Sequence, residues 1–199
     1  MGIIYDTRLR FENQVSALSK KTYISLKVLY ANKHILNFKV RKKLCEAYIL
    51  SKISYCITLF YPCLTQAEKL RLQKIQNNCC RFIYGLKKYD HISSKIKELN
   101  WLNVENLFKY LFLVFVFKVM DSNMPMCLRP KIRFRDEAHQ LLLRNRNKLE
   151  MPQHSTVMFE RSFSFMAVSL YNSFHIFFQI SNTITSFKKN IRSVLFSGQ

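Results

Sequence analysis

Apolar residues recur along this chain mostly at helical spacing. From Glu12 to Asn32 the stripe is Val15, Leu18, Thr22, Leu26 and Leu29. These steps of three and four predict one buried face of an amphipathic helix and leave Lys20, Lys21 and Lys27 off it. A second helix is predicted over about residues 39–60, amphipathic at first through Val40, Leu44, Ala47 and Tyr48, then apolar nearly all round until Pro62 stops it. Its second half reads as core. A third helix carries marked ends, because Thr65-Gln66-Ala67-Glu68 is a capping box and Gly85 follows the last periodic residue. At about 100° per residue, Leu72, Ile75, Cys79, Phe82 and Ile83 gather on one face, with Arg71, Lys74, Asn78 and Arg81 in a stripe beside it.

Further along, a helical turn is predicted at about residues 92–99, and Trp101 precedes a long apolar helix over about residues 104–120. Pro125 and Pro130 mark a boundary. The stretch from Met126 to Glu160 carries Arg129, Lys131, Arg133, Arg135, Arg144, Arg146 and Lys148 with few apolar repeats, and reads as loop with short irregular elements. Periodicity resumes in helices of about residues 163–174 and 183–196, the latter presenting Ile184, Phe187, Ile191 and Leu195 together. At the other end, Gly2-Ile3-Ile4-Tyr5-Asp6 reads as a strand end and a turn. With Gly 3 and Pro 4 in 199 residues, the chain lacks the turn residues of a sandwich, barrel or doubly wound sheet, so the fold class is mostly α.

Charge changes the picture. Between Glu12 and Glu46 no acid occurs, while Lys20, Lys21, Lys27, Lys33, Lys39, Arg41, Lys42 and Lys43 fall there. Over the whole chain Lys+Arg 32 stand against Asp+Glu 12, a net charge of +20, which points to a polyanionic partner. The hydrophobic share of 49% separates the chain from a solvated basic arm. Too few glycines exist for a P-loop or dinucleotide fingerprint, which excludes those routes to ATP or NAD chemistry. Cys45, Cys56, Cys63, Cys79, Cys80 and Cys127 match no zinc spacing and read as reduced thiols, with Cys56, Cys79 and Cys80 inside apolar helical runs. The longest apolar run, Tyr110 to Phe117, is well short of the roughly 20 residues that cross a bilayer. The five histidines read as surface or core residues, and Lys39-Val40-Arg41-Lys42-Lys43 reads equally as a nuclear address or as a chance match.

A series of these residues follows a known order. Gly2-Ile3-Ile4-Tyr5-Asp6 with Leu9 matches an "L-G-x-x-x-D…L" strand, and Tyr55 with the apolar residues after it matches a "Y-G/A" helix end. Leu72-Gln73-Lys74-Ile75-Gln76-Asn77 with Arg81-Phe82-Ile83-Tyr84-Gly85 matches "L-x-x-x-Q-N-x-x-x-R-x-I-x-G". Leu99-Asn100-Trp101-Leu102 matches "L-x-W-L", Arg144-Asn145 an "R-N" loop, Arg161-Ser162-Phe163 an "x-S-F" and Phe187-Lys188 a terminal "F-K". In this order the chain resembles the region after the polymerase palm of non-LTR retrotransposon reverse transcriptases of the jockey-like and related LINE elements. It departs from that pattern at Tyr171-Asn172-Ser173-Phe174-His175, where the family commonly has Trp-Asn-x-Leu-Pro.

The resemblance implies a remnant of the last palm strand at residues 1–11, a thumb-like three-helix bundle at 12–88 and a C-terminal helical region at 89–199 with a basic loop at 126–160. An intact family enzyme uses Mg held by palm aspartates. No Asp-Asp occurs in this sequence, Tyr89-Asp90-His91 lacks the second acid, and Asp136-Glu137 sits among arginines. The chain is therefore expected to be a fragment of an RNA-directed DNA polymerase, with no catalytic residue, no cofactor and no metal. What remains is binding to RNA or an RNA/DNA duplex, without reading sequence, through Lys20, Lys27, Arg71, Lys74 and Arg81. An intracellular place, nucleus or cytoplasm, goes with that role. Three alternatives stand beside it: a merely solvated charged face, a helical protein- or membrane-surface module using the Tyr110 to Phe117 face, and a relict without function.

Overall fold

The stripe that predicts the first helix is the stripe that is buried. In the computed structural model, which describes residues 2–138 and 147–199, helix α1 spans Glu12–Ala31 and turns Val15, Leu18, Thr22, Leu26 and Leu29 inward. The chain is mostly helical, as its periodicity and scarcity of glycine predict. It divides into two compact units, residues 1–108 with Gln199 and residues 109–198.

Residues 2–11 form no strand, which corrects the expectation of a strand there. With no strand paired to it among the described residues, this backbone is served by two side chains, and Gln14 Oε1 accepts the Ile4 N–H at 3.1 Å. The Asp6 carboxylate accepts N–H groups from Arg8 at 3.0 Å, Arg10 at 2.9 Å and Phe11 at 2.6 Å. These bonds, the one from Arg10 foremost, hold its carboxyl below the usual range. The turn leads through Phe11, in the left-handed region at φ 59°, into α1.

The return limb corrects a second expectation. A single helix over residues 39–60 is replaced by α2 (Phe38–Cys45), a wide π turn at Glu46–Leu50, α3 (Ser51–Ser54), and α4 (Ile57–Phe60), with a break at Cys56 where φ is 52°. Cys45, Ile49, Ile53 and Ile57 are all fully buried, four residues apart. On an unbroken α-helix each step of four drifts about 40°, so the last of them would point well away from the core. The wide turn and the break absorb that drift. Cys56 accordingly lies at the break, half-buried, and not within a helical run. The second half of the limb is core on one side only, since Tyr48, Tyr55 and Leu59 are exposed.

Helix α5 (Gln66–Tyr84) has the ends that its sequence marks. Glu68 N–H donates to Thr65 Oγ1 at 3.4 Å, Thr65 N–H donates to Glu68 Oε2 at 2.8 Å, and Gly85 takes φ 74°. Removing the cap with Thr65→Ala is expected to cost about 1 kcal/mol, read as a drop of a few degrees in the thermal midpoint followed by circular dichroism. Phe11 meets Phe60 at 6.4 Å and Tyr30 meets Phe82 at 4.9 Å. Helices α1 and α5 therefore run in the same direction, with the α2–α4 limb returning alongside both.

The first unit extends past residue 88 to take in helix α6 (Ser93–Glu98), the Leu99–Leu102 link and the start of α7 (Val104–Ser122). Polar side chains fasten that link. Trp101 Nε1 donates to Glu46 Oε1 at 2.8 Å, Gln76 Nε2 to the Leu102 carbonyl at 2.8 Å, and Lys42 Nζ to the Leu99 carbonyl at 3.0 Å. The Gln199 amide donates to the Trp101 carbonyl and accepts from the Asn103 N–H.

In the second unit, α10 (Phe163–Ile180) and α11 (Ile184–Ser197) bury Ala167, Val168, Phe187 and Ile191, and Phe117 stacks on Phe187 at 4.5 Å. Helix α10 runs beyond the expected end at residue 174, bending where Phe174 leaves helical geometry at φ −120°, ψ 16°. No proline follows Phe174, so nothing removes the next N–H and the helix resumes. Asn172 Nδ2 donates to the Leu149 carbonyl at 3.0 Å and its Oδ1 accepts the Leu149 N–H at 2.8 Å, which pins the basic loop beside the bridge of Phe134 with Leu149. The described loop otherwise holds short elements, α8 (Arg135–Ala138) and α9 (Val157–Glu160). The "R-N" pair Arg144-Asn145 lies outside the described residues.

Candidate nucleic-acid interface

Helix α5 presents two faces because its apolar and basic residues follow different helical rows. With Leu72, Ile75, Cys79, Phe82 and Ile83 buried, Arg71, Lys74, Asn78 and Arg81 fall on an adjoining outward row. From Arg71 to Arg81 that row is about 15 Å long at about 1.5 Å per residue, the length of roughly four base pairs at about 3.4 Å each. Arg71 and Lys74 are exposed. Arg81 is half-buried, one guanidinium nitrogen reaching Asn78 Oδ1 at 3.5 Å, while its Nε is buried without a partner.

Helix α1 packs directly against α5. Lys20 and Lys27 are exposed on the side opposite its buried stripe, two turns apart, with exposed Ile24 and Val28 on the same side. None of these five cations is paired with a carboxylate among the described residues. The five predicted contacts thus sit on two neighbouring helices of one unit as outward rows, and form no pocket.

Other cations have structural work. Arg41 lies over the Phe82 ring, donates to the Lys33 carbonyl at 2.8 Å and to the Ile83 carbonyl at 3.4 Å, and so caps the C-terminal end of α5 and ties it to the segment after α1. Lys42 and Lys52 are held by Leu99 and Ser25. Periodicity could not separate these from the surface lysines, since partners far along the sequence decide the matter. Gln76 likewise carries a motif position, and here the residue is 2% exposed and its amide serves the Leu99–Leu102 link.

A cleft of about 390 Å³ opens beside α5, lined by Lys69, Gln73, Asn77, Ser93, Lys97 and Glu105 among others. Its amides are largely spoken for: Gln73 Nε2 donates to Gln76 and Asn77, and Gln73 Oε1 accepts the Val104 N–H at 2.9 Å. Burial pushes Tyr61, at its edge, up to about 12, aided by Glu105. The other shifts also lead away from neutrality. A hydrogen bond to Cys45 and burial raise Cys79, burial takes Cys80 to about 11, burial with a hydrogen bond to Glu98 takes Tyr84 to about 12, and the ammonium of Lys95 lowers Glu98. None of these shifted groups is poised to exchange a proton near pH 7. Among the described residues no cluster of three or more His, Cys, Asp or Glu is placed to hold a metal, and no helix is long and apolar enough to cross a membrane.

Two candidates of the sequence have other places. The Asp90 carboxylate of Tyr89-Asp90-His91 accepts the Lys87 N–H at 2.7 Å and closes a turn. The Tyr110 to Phe117 run buries Phe112, Leu113, Val114, Val116 and Phe117 and so offers little open apolar surface. No protein-family model, no curated protein and no solved structure matches the chain.

Proposed function

We propose that the first unit grips an RNA or RNA/DNA duplex through phosphate contacts from the outward rows of α5 and α1, as the thumb of a LINE-type reverse transcriptase would, and that it contributes no polymerase chemistry of its own. The observation that carries this reading is the exposed pair Arg71 and Lys74, with Lys20 and Lys27 on the neighbouring helix, all lacking a carboxylate partner among the described residues of a chain of net charge +20. Unpaired cations on rigid helices meet phosphates without first breaking an ion pair. Arg81 adds a fifth charge at the end of the α5 row, held in place by Asn78. The burial of the Tyr110 to Phe117 run weighs against the reading as an apolar docking module.

Fluorescence anisotropy of a labelled hybrid, titrated with the full chain from low to moderate salt, tests this reading. Four to five phosphate contacts give a log-log slope of about −4 at about 0.9 per contact. Blunt RNA, DNA and hybrid of unrelated sequences are expected to bind within a few-fold of one another, because phosphates carry no sequence. A flat salt response, or no binding at low ionic strength by protein with a helical circular dichroism spectrum, would sink the proposal.

A further inference from the structure

Among the described residues the most exposed large apolar or aromatic side chain is Tyr89, at 87%. It stands four residues beyond Gly85, within about 14 Å of that cap even if the chain is fully extended. The turn that carries it is closed without it: Asp90 accepts the Lys87 N–H at 2.7 Å, and Asp90 N–H donates to the Lys87 carbonyl at 3.3 Å. The ring therefore contributes nothing to the core and nothing to the turn. Lys88 Nζ lies over it at 5.4 Å, and Lys87 and His91 are exposed on either side. An open aromatic face flanked by cations, at the end of a basic helical row, is the arrangement on which an unpaired base stacks while its phosphates meet the lysines.

We infer that Tyr89 is a stacking residue for an unpaired nucleotide where a duplex lying along the α5 row ends, so that this unit distinguishes a duplex with a single-stranded extension from a blunt one. The inference rests on the duplex-binding reading above and adds to it a preference for the junction. Stacking on an aromatic residue is sequence-tolerant, because every base has a π face, so the preference is for an unpaired base and not for a particular one.

The test compares the full chain with Tyr89→Ala and Tyr89→Phe, using a blunt RNA/DNA hybrid and the same hybrid with a two-nucleotide extension carrying 2-aminopurine at the first unpaired position. The unaltered chain should favour the extended hybrid by roughly 5- to 150-fold, the range given by one stacked base, and should quench the 2-aminopurine. Tyr89→Phe should keep both effects. Tyr89→Ala should lose both while binding blunt hybrid as before, and its melting curve should be unchanged. If Tyr89→Ala keeps the preference, or loses blunt and extended hybrid alike, the inference is overturned and duplex binding stands. If no form of the chain binds either hybrid, both readings fall together.

Discussion

Changing Arg71 and Lys74 together to glutamine is expected to weaken hybrid binding on the order of a hundredfold at about 0.1 M salt. Each phosphate contact contributes about 0.9 to the log-log salt slope, which at about 0.1 M is worth close to a decade relative to 1 M, so two contacts amount to about two decades. The slope itself should fall by about 1.8, from about −4 to about −2. Both positions are exposed on α5, and glutamine forms helix nearly as well as arginine or lysine, so the fold should be untouched. A matched control removes two charges elsewhere: Lys188 and Lys189, exposed on α11, changed to glutamine. If the α11 variant loses as much affinity as the α5 variant, then net charge and not the helical row is responsible. Equal slopes for all three proteins would remove α5 from the interface.

Which parts of the fold were legible in the sequence depended on how far away the deciding partner lies. The ends of α5 are local matters: Thr65, Glu68 and Gly85 act within one turn of themselves, and both ends are where the sequence marks them. Helix α1 is legible for the same reason, as five residues on one face outweigh every other signal. The return limb is different. Its residues read as one helix because a π turn and a left-handed Cys56 add no sequence mark. Only the need to keep Cys45, Ile49, Ile53 and Ile57 against α1 and α5 selects them. The strand expected at residues 2–6 failed because a strand exists only with an edge to pair with, and here Gln14 takes up the Ile4 N–H while Asp6 gathers the N–H groups of Arg8, Arg10 and Phe11 into a turn.

The candidate interface divides in the same way. Arg71 and Lys74 are exposed because the periodicity of α5 leaves them no other place. That Arg41 is a helix cap and that Gln76 holds the Leu99–Leu102 link depends on residues up to about 40 positions away, beyond any helical period. Tyr89 drew attention as part of a palm-like triplet, yet its acidic neighbour is the residue with a structural task. The ring is what the turn displays.

The second large effect concerns stability and should appear at Phe82. Its side chain is fully buried, meets the Tyr30 ring edge-on at 4.9 Å, and lies beneath the Arg41 guanidinium at 5.9 Å. Truncation to alanine removes that surface from the core and opens a cavity between the ends of α1, α2 and α5, at a cost of about 3–5 kcal/mol. Part of this is the aromatic pair itself, worth about 0.5–1.5 kcal/mol, and the cavity also loosens the seat of Arg41, which satisfies the Lys33 and Ile83 carbonyls. Because whole domains are stable by only about 5–15 kcal/mol, Phe82→Ala is expected to bring the urea midpoint down by about a fifth or more, or to leave the first unit unfolded at room temperature. Phe82→Leu keeps most of the volume and should lose much less. Circular dichroism and Trp101 fluorescence report the transition together, since the indole is tied to Glu46 inside the same unit. Binding should follow stability: at temperatures where Phe82→Ala has melted, Arg71 and Lys74 no longer share a row, and the salt slope should shrink toward that of an unstructured basic chain. An unchanged midpoint would mean that α1, α2 and α5 do not pack around Phe82, and the helical rows that carry the proposed grip would lose their foundation.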